Sequence, residues 1–351
     1  MVGSVSRSLW IRLAAALLLI GALAVSLTTV PSVGATANTQ ASGSLALAPM
    51  DGTPTVTTVA TAIVSPSASP KTPAIGPDGP PPPPPQVSAT AAELYNATTG
   101  KLMLAIAPNT SLPMASTTKI MTAVVALTYG RLDQQITITQ DVVDIEGTGA
   151  SIAGLRLGDT LSLRDLLYCL MLPSGDDAAI AIADGVAGSQ TNFVALMNLE
   201  AGLLGMSHTH YANAHGLDAT DHYTSVNDLV RLTRYAISSP TFAQVVATPS
   251  TTIAATGTHH QYDLTNTNEL LPSETFAYDG AMGVKTGFTG PAGYCLVFAA
   301  KRPSGELIGV VLGEPTYNGR FTDATALLNW GFGVLTPQST ATPTATSTHT
   351  P

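Results

Sequence analysis

Charge is scarce in this sequence. Only 11% of its 351 residues are Asp, Glu, Lys or Arg, and the acids outnumber the bases 23 to 14, for a net charge of −9. Such a composition argues against nucleic acid, whose phosphate backbone calls for an excess of basic residues, as a partner. Cysteine is scarcer still, with Cys169 and Cys295 the only two. Two cysteines build neither a disulfide framework nor a zinc motif. Each stands in an apolar run, which predicts two buried free thiols. No internal repeat is present, and nothing in the sequence calls for a metal or a cofactor. His208, His210, His215 and His222 fall close to Asp218 and Asp221. Their spacing matches no standard ligand pattern. His215 reads as a turn residue with a satisfied ring.

The two ends differ from the middle. Residues 1–12 carry Arg7 and Arg12 and no acid, and Leu13 to Val30 then contains no charge. Ala35-Thr36-Ala37 has the small-x-small form of a signal-peptidase site. Residues 1–37 therefore read as an export signal. As a helix the uncharged run would reach about 27 Å, close to a bilayer's hydrocarbon thickness. Cleavage and retention as an N-terminal membrane anchor both stay open. Either outcome places the protein outside the cytoplasm. Residues 38–87 are mostly Ser, Thr, Ala, Pro, Val and Gly, with Asp51, Lys71 and Asp78 as the only charges and six prolines from Pro80 to Pro85. Such a segment buries too little apolar area to offset its ordering entropy and reads as a linker. The tail, 336–351, has the same composition. Residues 88–335 remain as one folded unit, long enough for a large core.

Within that unit, Ala92 to Ala97 and Lys101 to Ala107 flank Thr98-Thr99-Gly100 and predict a hairpin. Apolar spacing predicts helices over Ser116 to Tyr129 (with Gly130 as its C′ cap), Leu163 to Leu172, Asp176 to Val186, Phe193 to Leu204, Ser225 to Ile237 and Phe321 to Trp330. Met282 to Thr286, Tyr294 to Lys301 and Leu307 to Leu312 read as strands. Strands at both ends with helices between them predict an α/β (α+β) fold, one sheet built from both termini with an inserted helical region.

Three short motifs carry chemistry. In Ser116-Thr117-Thr118-Lys119, positions i and i+3 of a helix share a face, so hydroxyl and amine can meet. A serine needs a base to become a nucleophile, and a lysine serves only when burial or a helix N-terminus lowers its pKa. Alone, this pattern also describes an ordinary helix start with a surface lysine. Ser174-Gly175-Asp176 lies between two apolar helices and offers a second hydroxyl as a proton relay; its bland reading is a helix cap. Lys285-Thr286-Gly287 puts a cation, a hydroxyl and a bare backbone on a strand edge, suited to a terminal carboxylate lying alongside. Its bland reading is a strand end with an exposed lysine. The ordered set is far more specific than any member.

Together, Met114 to Ala123, Leu172 to Ala179, Asn213-Ala-His-Gly-Leu217 and Gly283 to Val297 resemble the low-molecular-mass penicillin-binding proteins, the serine-type D-Ala-D-Ala carboxypeptidases. The likeness runs from about Thr90 to Phe332. It implies the penicilloyl-serine-transferase (β-lactamase/transpeptidase-like) fold, an antiparallel sheet flanked by helices with a helical subdomain. It implies peptidoglycan stem peptides as substrate and β-lactam antibiotics as covalent inhibitors. Ser116 would attack the penultimate D-Ala carbonyl, Lys119 accept its proton and Ser174 relay a proton to the departing D-Ala. Lys285 and Thr286 would hold the terminal carboxylate beside Gly287. The backbone N–H groups of Ser116 and Phe288 would form the oxyanion hole.

The sequence departs from the family at Asp176, where the usual residue is Asn. An ionised Asp cannot donate a hydrogen bond and would favour a charged Lys119. A buried, protonated Asp would donate as Asn does. Both accounts stay open. So do two other functions: a β-lactamase, for which no acidic general base is evident, and a non-catalytic cell-wall binding protein with a decayed site.

Overall fold

The computed structural model describes residues 82–273 and 275–335. The expectations for residues 1–37, for most of the 38–87 linker and for the 336–351 tail lie outside the described residues. The first described residues lie along the folded unit. The Trp330 indole N–H donates to the Pro82 carbonyl at 2.8 Å, and the Ser88 and Ala89 N–H groups donate to Asp323 Oδ2 at 2.7 and 3.2 Å.

The predicted hairpin forms from β1 (Ala91–Asn96) and β2 (Lys101–Ile106), turning at Gly100 with φ of 74°. A single 3₁₀ turn, Ala115–Thr118, then leads into α1 (Lys119–Tyr129). Ser116 thus sits in the turn before the helix rather than in it. Gly130 does not take the left-handed C′ conformation expected of it; φ is −94° and ψ 174°. Space explains the glycine instead, since a methyl there would stand 2.5 Å from Leu163 Cδ2.

Several short elements follow: β3 (Gln135–Thr137), α2 (Gln140–Val143) and β4 (Thr160–Ser162). The longer helices are α3 (Leu163–Met171), α4 (Asp176–Ala187), α5 (Gln190–Leu203) and α6 (Val226–Ile237). Their boundaries have local causes. Ser162, Ser189 and Ser225 each accept an N–H three residues on, as N-caps do. Pro173 follows α3, and Gly188 and Gly205 take left-handed φ of 75° and 70° after α4 and α5. Then come α7 (Pro240–Val246), β5 (Ser250–Ile253) and β6 (Tyr262–Thr265).

Three long strands close the sheet: β7 (Ala281–Thr289), β8 (Gly293–Arg302) and β9 (Gly305–Glu314). The order is β2-β1-β9-β8-β7, all antiparallel, with β1 joined to β9 from Ala91↔Leu312 to Asn96↔Leu307. One sheet built from both termini is the predicted architecture. It leaves β7, the motif strand, at an edge. The last helix, α8 (Gly319–Leu335), covers one face. Leu94, Leu296, Phe298, Leu307 and Val311 meet Phe321, Leu327 and Leu328 there, all fully buried. Truncating a buried aromatic such as Phe298 in a core of this kind costs about 3–5 kcal/mol. Strand β7 is held by its pairing with β8, from Val284↔Phe298 to Thr289↔Gly293, and its other edge has no strand partner among the described residues. Cys169 and Cys295 are free and buried, as expected.

Candidate active site

The chain reaches Ser116 through Ala115, whose φ is 47°. A non-glycine residue in the left-handed region is held by its surroundings, at about 1–2 kcal/mol. Here the surroundings are two glycines. A methyl on Gly216 would stand 2.2 Å from the Ala115 carbonyl oxygen, and one on Gly287 would stand 3.1 Å from the Ser116 nitrogen. Bare backbone at both positions lets loop 213–217 and β7 close on the turn that carries Ser116. Thr117 and Thr118 donate back to the Met114 and Ala115 carbonyls at 2.7 Å each. His222 braces Thr118. Its Nδ1 accepts from the Ala212 N–H at 3.0 Å, which leaves the proton on Nε2, 2.8 Å from Thr118 Oγ1. Burial pushes that ring's pKa down to about 4, in keeping with a neutral imidazole.

Lys119 is fully buried. Its amine lies 2.9 Å from Ser116 Oγ, 2.5 Å from Asp176 Oδ1 and 2.6 Å from the His215 carbonyl. Burial lowers its pKa, while the Asp176 and Asp177 carboxylates oppose that shift. Asp176 opens α4 and is also buried. Its Oδ2 accepts from the Ser151 N–H at 3.1 Å, and its own N–H donates to the Ser151 carbonyl at 2.7 Å. Asp177 completes the arrangement. Its carboxylate accepts the N–H groups of Ala153, Gly154 and Leu155 at 3.0 Å and of Ala178 at 2.8 Å. Two consecutive acids thereby fasten loop 151–155 against the site.

Ser174 is buried, with φ of 68°. It is the second strained residue here, and strain of this kind concentrates at functional sites. Among the described residues, no hydrogen bond joins its hydroxyl to Ser116, Lys119 or Lys285. Lys285 is buried on β7, its amine 3.0 Å from the Thr286 carbonyl. Burial holds its pKa well below the ordinary lysine value, and the positive charges of Lys119 and Arg320 push the same way. Thr286 Oγ1 lies 2.6 Å from Thr267 Oγ1, and the Thr267 N–H donates to the Leu172 carbonyl at 3.1 Å. Thr267 therefore ties the second motif to the third. The Phe288 ring is 54% exposed and stacks on Tyr294 at 4.4 Å. What Phe288 can bring to a bound substrate is its main-chain N–H.

The fold thus puts Ser116, Lys119 and Asp176 in direct contact, sets Gly287 against the Ser116 amide, and places Lys285 within electrostatic reach. Four contributors besides Asp177 were missed in the sequence. They are the His215 carbonyl, the Ser151 main chain, Thr267, and Arg320, whose Nη1 donates to the Gly287 carbonyl at 3.3 Å. Only His215 lay inside a quoted motif. Its ring does accept from the Leu217 N–H at 3.2 Å, as a satisfied turn histidine should. Among the described residues no group of three or more His, Cys, Asp or Glu is arranged to hold a metal ion. A hydroxyl 2.9 Å from a buried amine is a nucleophile beside the group that serves as its base once that amine is neutral.

A family model described as D-alanyl-D-alanine carboxypeptidase matches residues 79–316. The chain belongs to the D-alanyl-D-alanine carboxypeptidase family. Within that family it is 38% identical over 261 residues to the D-alanyl-D-alanine carboxypeptidase of Streptomyces sp. strain K15, covering 71% of this chain and 88% of that protein. It is 36% identical over 255 residues to D-alanyl-D-alanine carboxypeptidase DacD of Escherichia coli, covering 70% of this chain and 63% of DacD. The crystal structure of the Streptomyces K15 DD-transpeptidase superposes with a TM-score of 0.67 at 38% identity, over 71% of this chain and 99% of that one. The carboxypeptidase of Mycobacterium tuberculosis H37Rv gives 0.66 at 31% identity, over 74% and 96%. The fold is therefore that of the penicilloyl-serine transferases, as the motifs implied.

Proposed function

We propose that this chain is a serine-type D-Ala-D-Ala carboxypeptidase, a hydrolase that removes the terminal D-Ala of peptidoglycan stem peptides. The observation that carries this reading is the Ser116–Lys119 contact at 2.9 Å, inside a buried site on a family scaffold. Lys119 takes the Ser116 proton as Oγ bonds to the penultimate D-Ala carbonyl. Backbone N–H groups of Ser116 and Phe288 receive the oxyanion, worth about 3–4 kcal/mol for a donor of this kind. The peptide C–N bond breaks, and Ser174 passes the proton from Lys119 to the leaving D-Ala amine. Lys285 and Thr286 hold the substrate's terminal carboxylate, with Gly287 allowing the backbone to lie close. Water then attacks the acyl-enzyme. The Streptomyces relative is named for both hydrolysis and transfer, which differ only in whether water or an amine receives the acyl group. β-Lactams acylate the same serine. A β-lactamase is not favoured by the family match.

The basic start, uncharged run and Thr/Pro-rich segment ahead of the domain support an extracytoplasmic placement, secreted or held by the N-terminal segment. One experiment tests both parts. Cells expressing the full chain are treated, intact or lysed, with a membrane-impermeant fluorescent penicillin, and the label is located by peptide mapping. One label on Ser116, present without lysis on the cells or in their medium and absent from Ser116→Ala, is expected. Label on Ser174, or none, overturns the mechanism, and label appearing only after lysis overturns the placement.

A further inference from the structure

Asp176 is where this chain departs from its family's usual second motif, and the site's geometry shows what the change does. Three acceptors surround the Lys119 amine: Ser116 Oγ at 2.9 Å, Asp176 Oδ1 at 2.5 Å and the His215 carbonyl at 2.6 Å. An ammonium has three N–H donors and no acceptor. It satisfies all three contacts at once, leaving Ser116 as an acceptor with its proton still on oxygen. A neutral amine has two N–H donors and one lone pair. It can keep the carboxylate and the carbonyl and turn the lone pair to the Ser116 O–H. Both states fit the same coordinates, so steric fit does not choose between them and charge does.

The Asp176 carboxylate is placed to be ionised. Its second oxygen accepts the Ser151 N–H at 3.1 Å, and the first faces the amine, so both oxygens are used as acceptors. The remaining charges near Lys119 are few and can be named. On α4, Asp177 adds a second negative charge, itself satisfied by backbone N–H groups. On β7, Lys285 adds a positive one, with Arg320 of α8 behind it. The rings of His215 and His222 turn their bonded nitrogens to the Leu217 N–H and to Ala212 and Thr118, lie within electrostatic reach of the same amine, and are held neutral by burial. Of these, Asp176 is the one in direct contact with the amine.

We propose that Asp176 is a positioning residue that acts on Ser116 through Lys119: its carboxylate holds the amine as an ammonium in the empty site and so sets the pH at which Ser116 can be acylated. The same charge lets Lys119 and Lys285 both stay cationic in one buried space, where two unpaired cations would repel. Asp176 thus trades base strength at neutral pH for a filled carboxylate-binding cation. This inference rests on the carboxypeptidase reading of the site.

The test compares wild type with Asp176→Asn. The second-order rate of penicillin acylation is followed from neutral to alkaline pH, and the charge of Lys119 is read separately from the Cε chemical shift of 13C-lysine-labelled protein. Asp176→Asn should move the limb set by the base to lower pH by about one unit or more and raise the neutral rate about tenfold, as one pKa unit corresponds to a factor of ten. The Lys119 resonance should titrate lower by the same amount, and KM for a carboxylate-terminated peptide should rise. An unmoved limb and resonance overturn the inference, as does a folded variant, checked by thermal unfolding, that acylates at no pH. Should Asp176→Asn unfold, Asp176→Ser takes its place and the same shifts are required. A wild type that never acylates overturns the carboxypeptidase reading; the Lys119 titration still decides whether Asp176 holds the ammonium.

Discussion

Lys285 shows how little of a residue's role its motif conveys. As part of a Lys-Thr-Gly strand end it could be an exposed lysine, yet it is buried within electrostatic reach of a second buried lysine, and among the described residues its amine bonds only the Thr286 carbonyl and hydroxyl oxygens. With Asp176 paired directly to Lys119, a cation in that position has no anion in contact with it, and a substrate carboxylate supplies one. Lys285→Ala should therefore cost about 2–4 kcal/mol of transition-state stabilisation for a carboxylate-terminated peptide. Amidating the peptide's C-terminus should harm the wild type severely and the variant little; equal sensitivity in steady-state assays would refute the role. The direction of the pKa gives a second readout. Because burial and neighbouring cations lower it, the charge is lost at a lower pH than in an exposed lysine. KM for the free-acid peptide should then climb on the alkaline side, while KM for the amide stays level.

At the scale of elements, the site depends on segments that have no regular structure. Loop 151–155 is held by the side chain of the residue after Asp176. The Asp177 carboxylate collects four backbone N–H groups, and no neutral side chain can accept all of them. Asp177→Asn turns an N–H₂ group toward N–H donors and should destabilise the fold by about 2–4 kcal/mol. Urea unfolding measures this, and a change below about 0.5 kcal/mol, the range of an ordinary surface substitution, would mean the loop is held otherwise. None of this was legible in the sequence, where Asp177 lay in the segment Leu172 to Ala179 and in the predicted helix without a role of its own. The hairpin at Gly100, the helices ended by Gly205 and Pro173, and the three C-terminal strands were legible, because periodicity and chain-breaking residues mark them locally. The pieces β3, β4, β5 and β6 were not. They are three or four residues long and largely polar, and each pairs with a partner of the same kind, β3 with β4 and β5 with β6, so neither periodicity nor an apolar run marks them. The same division runs through the site. The three motifs and their order could be read, whereas Ser151, Thr267 and Arg320 enter only through contacts that folding creates.

For the whole molecule, buried titratable groups make stability a function of pH in two opposed ways. A carboxyl whose folded pKa lies above its unfolded value keeps a proton that the unfolded chain releases. Its contribution is complete below the unfolded value and is lost as pH rises through the folded one. Glu93 and Glu314, both raised by burial from 4.5 to about 7, behave this way, and Asp184, raised to about 6, joins them. Buried histidines have the opposite sign. His215 and His222, lowered to about 4, favour the fold above 6.5 and lose that contribution as pH falls. From about 4.5 to 6.5 the two sets offset each other. Above 6.5 the histidine contribution is constant while Glu93 and Glu314 still titrate, so stability should decline toward pH 7. Glu314 is the clearest member to isolate. It shares a hydrogen bond with Asp323, the residue that accepts the Ser88 and Ala89 N–H groups where the chain enters the domain. Glu314→Gln supplies a permanent N–H donor toward Asp323 and removes the titration. The stability of this variant relative to wild type should rise between pH 4.5 and 7, by at most about 1.4 kcal/mol per pH unit for one proton, and stay level outside that window. Chemical denaturation at a series of pH values provides the curve. A stability difference that is the same at every pH would show that Glu314 keeps its ordinary ionisation in the fold.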